Sequence, residues 1–248
     1  MPALAHRSID RVPQDAPMRM TRQAPLWPVP AAIALVLAGA AHLALALAIH
    51  AGDVPACVPY LDGCTSISRA ARHGLANHLF RLLVLPCAVL LGVHWWLSAR
   101  WLRARDASPG ALGALGTVSA IALGVYAAFL GTDGEIYRYL RRYGVIVFFG
   151  ASYVAQLVFL AAAVRVHALD RRFRSRMQLL CLAMLAIGVV HVAAMGLFGG
   201  TAFQDRLENA LEWQIGLLLV LWFVQHAQVW RRDGYALATE IARPDRRS

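Results

Sequence analysis

Six long apolar runs alternate with short polar connections along this chain of 248 residues. Each is about the 20 residues needed to cross a hydrocarbon core of about 30 Å. They fall near 28–50, 78–98, 110–131, 144–165, 178–199 and 207–230. The runs are continuous rather than alternating, which argues against a membrane barrel. In lipid every backbone amide must find its partner internally, so the pattern predicts six helices. The expected fold is all-α, a polytopic six-transmembrane-helix bundle over 26–232. A disordered cytoplasmic tail is expected at 1–25 and a second cytoplasmic tail at 233–248. The first run exceeds a signal-peptide core of about 7–15 residues, so it reads as an uncleaved span.

Composition agrees with that pattern. The chain is 59% hydrophobic and 15% charged, with a mean hydropathy of +0.53. A soluble domain carries about 25% charged residues, so a soluble enzyme or binding module is excluded. The net charge of +10 invites a nucleic-acid partner, but its distribution excludes one. All 24 basic residues are Arg, and 17 of them lie in the two tails and in the second and fourth connections. The other seven are Arg69, Arg72, Arg81, Arg138, Arg141, Arg142 and Arg206, while the 14 acids divide evenly between the sides. The positive-inside rule then puts both termini in the cytoplasm. The excess charge is topology, together with attraction to anionic lipid head groups. The absence of Lys beside abundant Ala, Leu and Arg points to GC-rich coding and a bacterial inner membrane.

The longest polar connection, 52–77, holds Cys57 and Cys64. On the non-cytoplasmic side these form a disulfide, and their spacing suits no standard zinc pattern. The second helix opens with His78 and Arg81 and carries Pro86 inside it. Along the third, Gly113, Gly116, Ala120, Gly124 and Ala128 make a stripe that admits a close neighbour. The third connection places Arg138, Arg141 and Arg142 among Tyr137, Tyr139 and Tyr143. It reads either as an interfacial turn or as a clamp for phosphate or carboxylate, whose geometry Arg forks match. Tyr153 and Gln156 are expected to form interhelical hydrogen bonds, and His94, His167, Gln225 and His226 to pack on the inner side.

The sixth helix carries Asp205, Glu208 and Glu212 at i, i+3 and i+7, one stripe of its surface. A charge at membrane depth costs about 2.5–3.5 kcal/mol and normally faces a partner. Arg81 is the expected partner of Glu212, with His78 and His191 as the other candidates. Together with His42 these residues predict an outer-half polar pocket between the second, fifth and sixth helices. In a catalytic pocket Glu212 or His78 would be the general base, with His191 beside them. Arg81 with Arg138 or Arg141 would hold a phosphate or oxyanion. Asp205, Glu208, His42, Ser66 and Ser68 would contact substrate, although no Ser-His-Asp order is recognisable. The structural alternative is a buried Arg81–Glu212 ion pair that fixes helix register. No H-E-x-x-H spacing occurs, so no metal and no cofactor are expected.

Several short motifs resemble a known family. The run C-V-P-Y-L-D-G-C-T-S-I-S-R-A-A from Cys57, with Phe80-Arg81 opening the next helix, is similar to a loop of post-GPI-attachment-to-proteins factor 2. Glu212-Trp213 and the set Gly144, Gly150, Tyr153 and Gln156 resemble positions of the wider Frag/DRAM/Sfk membrane-protein family. The run departs from that factor at Leu61-Asp62-Gly63-Cys64, where the second cysteine interrupts it. The His and Arg that follow the aromatic–Arg pair in the factor have no counterpart near Leu83–Cys87. The resemblance implies six helices and a lipid-facing role on the non-cytoplasmic side.

The leading expectation is an integral membrane protein that handles or remodels a lipid or lipid anchor at the non-cytoplasmic leaflet. A lipid acyltransferase or hydrolase is one form of it. A non-enzymatic lipid-binding regulator or assembly partner is the alternative, and a small-solute or ion transporter comes third. Membrane lipids are the expected partners.

Overall fold

Long apolar runs joined by short polar segments leave helix against helix as the way to pair the backbone and bury a core. A computed structural model has this form and describes residues 20–241. In chain order the elements are β1 (Met20–Pro25), α1 (Pro28–Ala51), α2 (Pro59–Asp62), α3 (Ile67–Ala70) and α4 (Gly74–Arg103). They continue with α5 (Leu112–Phe129), α6 (Glu135–Arg165), α7 (Arg171–Phe198), α8 (Ala202–Arg232) and β2 (Ala236–Ile241). The helices α1 and α4 to α8 are long and apolar enough to cross a membrane. The chain is a multi-pass integral membrane protein with an all-α fold.

Several helices extend beyond the apolar runs that announce them. α6 begins at Glu135 rather than near 144, so the third connection is its first turns rather than a loop. α8 begins at Ala202, where the Thr201 side chain accepts from the Gln204 amide. Asp170 caps α7 by accepting from the Phe173 amide at 2.9 Å. Hydropathy measures the stretch in lipid, whereas caps and propensity decide where a helix stops.

The long helices lie beside one another largely in chain order. α1 packs on α4, α4 on α5, α5 on α6 and α7 on α8, and α8 returns to α1. Small residues permit the closest approaches. A Cβ built on Gly116 would lie 2.2 Å from Trp95 Cβ, and one on Gly144 would lie 3.1 Å from the Tyr126 amide nitrogen. The contact of α6 with α7 is slight by comparison. An apolar groove of about 530 Å³ runs between them, lined by Phe149, Gly150, Tyr153, Met184, Gly188 and Val192 among others.

Met20–Pro25, expected within an unstructured tail, pairs antiparallel with Ala236–Ile241 from the other tail. The Leu26 amide donates to the Tyr235 carbonyl at 2.9 Å just beyond the ribbon. Both described chain ends thus leave from one face, the tail end; the opposite face is the loop end. The remaining parts of both tails, 1–19 and 242–248, lie outside the described residues. Ion pairs Arg105–Asp233, at 2.8 Å, and Arg232–Asp170 tie the tail-end connections together.

The tail half of the core is an aromatic plug. His94 of α4 and His226 of α8 are fully buried, with ring centroids 4.7 Å apart. Trp230 stacks within 5.2 Å of His94, and Phe159 of α6 lies 4.4 Å from His226. The ring nitrogens of both histidines and both amide atoms of buried Gln156 have no partner among the described residues. Gln156 therefore lacks the interhelical bond expected of it, whereas the Tyr153 hydroxyl donates to the Cys181 carbonyl at 3.2 Å. Each unpartnered buried polar group costs about 1–3 kcal/mol. His226→Leu, similar in size, is expected to leave detergent-solubilised protein as stable as wild type or raise its unfolding midpoint. A drop of many degrees would mean that these nitrogens hold something essential.

Candidate functional site: a cavity beneath the disulfide loop

The connection between α1 and α4 folds back into the mouth of the bundle. Cys57 and Cys64 are joined in a disulfide, as expected, with Cα atoms 6.6 Å apart. Ser66 starts α3 by accepting from the Arg69 amide at 3.1 Å. Thr65, Ser66, Ala70 and Ala71 are buried, so this polar-looking loop is part of the core. One end of α8 holds it there by the loop's carbonyls. Asn209 Nδ2 donates to Gly63, Trp213 Nε1 to Thr65 and Gln214 Nε2 to Tyr60, each at 2.9 Å. These bonds satisfy backbone groups that would otherwise be orphaned where the loop enters the bundle.

The loop caps an apolar cavity of about 80 Å³. Its walls come from α1, α4, α5, α6 and α8, through residues such as Ala41, Val84, Leu123, Phe148 and Leu219. That volume suits a short stretch of hydrocarbon, being several times the roughly 10–15 Å³ that one water needs on the same measure. Polar atoms are confined to its loop end. Glu212 Oε1 accepts from the Ser68 amide at 3.2 Å and from Ser68 Oγ at 3.4 Å. Ser68 Oγ also lies 3.1 Å from the Tyr126 hydroxyl. On the other side, His42 Nδ1 is 2.8 Å from the Ala38 carbonyl, and its Nε2 is 3.0 Å from the Tyr60 hydroxyl. A carbonyl only accepts, so Nδ1 carries the proton and Nε2 accepts from Tyr60. Burial pushes the Tyr60 phenol up, which keeps it a donor. Trp213 sets its edge against both rings, at 5.5 Å from each.

The predicted site residues divide into those this cavity gathers and those it leaves out. Glu212 and His42 line it, and Ser68 bonds Glu212. Arg81 does not pair with Glu212: the carboxylate turns to Ser68 instead, and Arg81 is not among the residues that line the cavity. The ion pair that does form is Arg69 with Asp205, a two-pronged contact at 2.8 and 2.5 Å. This contact raises the Arg69 guanidinium, and its exposure limits its worth to about 0–1 kcal/mol. Glu208 accepts from Gln204 Nε2 at 2.6 Å, on its own helix. Arg138 is exposed and paired with Glu135 at 3.1 Å. His78 is exposed, and neither it nor His191 of α7 is among the residues that line the cavity. Ser66 is spent as a helix cap. The expected pocket between α4, α7 and α8 is therefore replaced by one that excludes α7.

Sequence reasoning missed Tyr60, Tyr126 and Trp213 as site residues. Tyr126 carried a weak signal, a hydroxyl in the loop-end half of a helix whose other hydroxyls, Thr117 and Ser119, lie nearer its start. Among the described residues, no group of three or more His, Cys, Asp or Glu could hold a metal ion. No protein-family model matches the chain, and no curated protein or solved structure matches it.

Proposed function

We propose that this membrane protein handles a single lipid or lipid anchor at the non-cytoplasmic leaflet. The lipid's polar end would meet Glu212, Ser68 and Tyr126, and part of its hydrocarbon would enter the cavity. One observation carries the reading: among the described residues Glu212 is the one carboxylate that lines this mostly apolar cavity, and the capping loop aims a serine at it. Phe149 lines both the cavity and the groove between α6 and α7, so the two spaces are neighbours, and hydrocarbon would enter from the bilayer past this side chain. The arginine excess of the tail-end segments supports placing the loop end away from the cytoplasm. The resemblance to the Frag/DRAM/Sfk family, whose members are tied to lipid remodelling and lipid-linked signalling, points the same way. A transporter fits less well, because the aromatic plug fills the tail half of the core.

A second reading, acyl transfer or ester hydrolysis, rests on Ser68 Oγ standing 3.4 Å from Glu212 and 3.1 Å from Tyr126. Ser68 Oγ would attack an ester carbonyl as Glu212 takes its proton, and the departing alcohol would receive that proton. The acyl-serine would then pass its acyl group to water or to a second alcohol.

Native mass spectrometry with lipid extraction tests both readings on wild type, Glu212→Gln and Ser68→Ala. Glu212→Gln is expected to lose a lipid class that wild type retains, with helical content unchanged. The same lipids in the same amounts on both proteins would refute the cavity reading. If Ser68→Ala keeps the lipid but loses turnover of a fluorescent ester lipid, the protein is an enzyme. If wild type shows no turnover, it is a lipid-holding protein.

A further inference from the structure

Arg72 and Arg141, two of the half-buried arginines at the loop end, have no acidic partner among the described residues, which form four ion pairs elsewhere. Arg72 follows α3, and its carbonyl abuts the turn between α5 and α6. A Cβ built on Gly131 in that turn would sit 2.5 Å from it. Arg141 rises from α6 to the same turn and donates from Nη1 to the Thr132 carbonyl at 3.2 Å. The Arg72 backbone and the Arg141 guanidinium thus meet the same short turn. The Arg72 Nε is buried and has no hydrogen-bond partner.

The electrostatics there are unbalanced. Burial pushes the Arg72 guanidinium down from its ordinary range, and the positive charges of Arg141 and then Arg69 push it further. Tyr126 and Glu212 oppose this more weakly. Arg69 is already engaged by Asp205, and Glu212 is engaged by Ser68. Like charges held together in a partly desolvated place need a counter-charge. Two guanidinium forks with spare donors match the tetrahedral oxygens of a phosphate, which can accept from both at once.

We propose that Arg72 and Arg141 form a binding site for the phosphate of an anionic phospholipid head group. This rests on the lipid reading above: the same molecule would place hydrocarbon in the cavity beyond Tyr126. It narrows the ligand to an amphiphile with an exposed, negatively charged phosphate, and it assigns Arg72 a role that its place in a surface loop does not announce. Arg138, one turn before Arg141, is exposed and neutralised by Glu135.

The test compares wild type, the double variant Arg72→Gln/Arg141→Gln, the control Arg138→Gln, and Val84→Phe, which fills the cavity. Each is purified in uncharged detergent and titrated with phosphatidic acid, phosphatidylcholine, diacylglycerol and inorganic phosphate, with bound species counted by native mass spectrometry. The double variant is expected to bind phosphatidic acid about tenfold or more weakly than wild type, the loss of roughly one charge-assisted hydrogen bond. Its binding of diacylglycerol is expected not to change. Arg138→Gln should match wild type; an equal loss there would reveal diffuse surface attraction and overturn the site. Inorganic phosphate competing at the same concentration as phosphatidic acid would overturn the lipid source. If the double variant binds phosphatidic acid like wild type while Val84→Phe binds every lipid poorly, the phosphate site is wrong and the cavity stands. If Val84→Phe changes nothing, the cavity reading itself fails.

Discussion

Trp213→Ala is expected to lower the unfolding free energy by about 3–5 kcal/mol, the range for truncating a buried large aromatic. The side chain is 1% exposed and lies in a cluster with Ala41, Leu45, Val54 and Ala70, which join α1 to the capping loop. Its indole also donates to the Thr65 carbonyl at 2.9 Å, and its edge fixes the His42 and Tyr60 rings. Removal therefore combines a void with an orphaned carbonyl beside the cavity. Thermal unfolding in detergent measures the loss, and lipid extraction should show the bound lipid gone while helical content stays. Trp213→Phe keeps most of the packing and loses only the hydrogen bond, so its loss should be nearer 1 kcal/mol. A stability for Trp213→Ala within 1 kcal/mol of wild type would mean that the loop is held by something else.

Gly63→Ala is expected to be nearly as damaging although it adds one methyl group. Gly63 has a φ of +56°, where a side chain is disfavoured. A Cβ there would meet the Arg206 carbonyl oxygen at 1.8 Å, and a backbone atom cannot rotate aside. The loop would have to leave α8, breaking the Asn209 bond to the Gly63 carbonyl. Overpacking of about 1–3 kcal/mol and a left-handed penalty of about 1–2 kcal/mol together predict a loss of about 2–5 kcal/mol. Gly39→Ala is the control, since a Cβ there meets nothing within 4 Å. It should be neutral or slightly stabilising, as expected for Gly→Ala within a helix. If both substitutions behave alike, the docking of the loop on α8 is not as tight as this geometry requires.

Chemistry that depends on one helix was legible from the chain alone. The cysteine pair closes within its own loop, and Asp205, Glu208 and Glu212 share one stripe of α8. The depth of Glu212 also follows from its position, about 9 Å along the helix from Arg206 at a rise of about 1.5 Å per residue. Its partner did not follow. The sequence places Arg81 at a similar depth, yet a four-residue helix in the loop brings Ser68 to the carboxylate instead. The same loop sets the Arg72 carbonyl against the α5–α6 turn that Arg141 also reaches, an arrangement that no local pattern records.

The sequence by itself determined six spans, a shared face for both chain ends and the level of each polar residue. Those properties depend on the length and order of apolar runs, which lipid reads directly. Only the tertiary structure decided which helices are neighbours, that α7 stands outside the cavity, and that a polar loop closes it. The physical reason is that lipid-facing and core-facing positions are equally apolar in a membrane protein. Hydropathy therefore marks depth but not direction, and direction comes from the small-residue contacts and loop hydrogen bonds that form when the bundle packs.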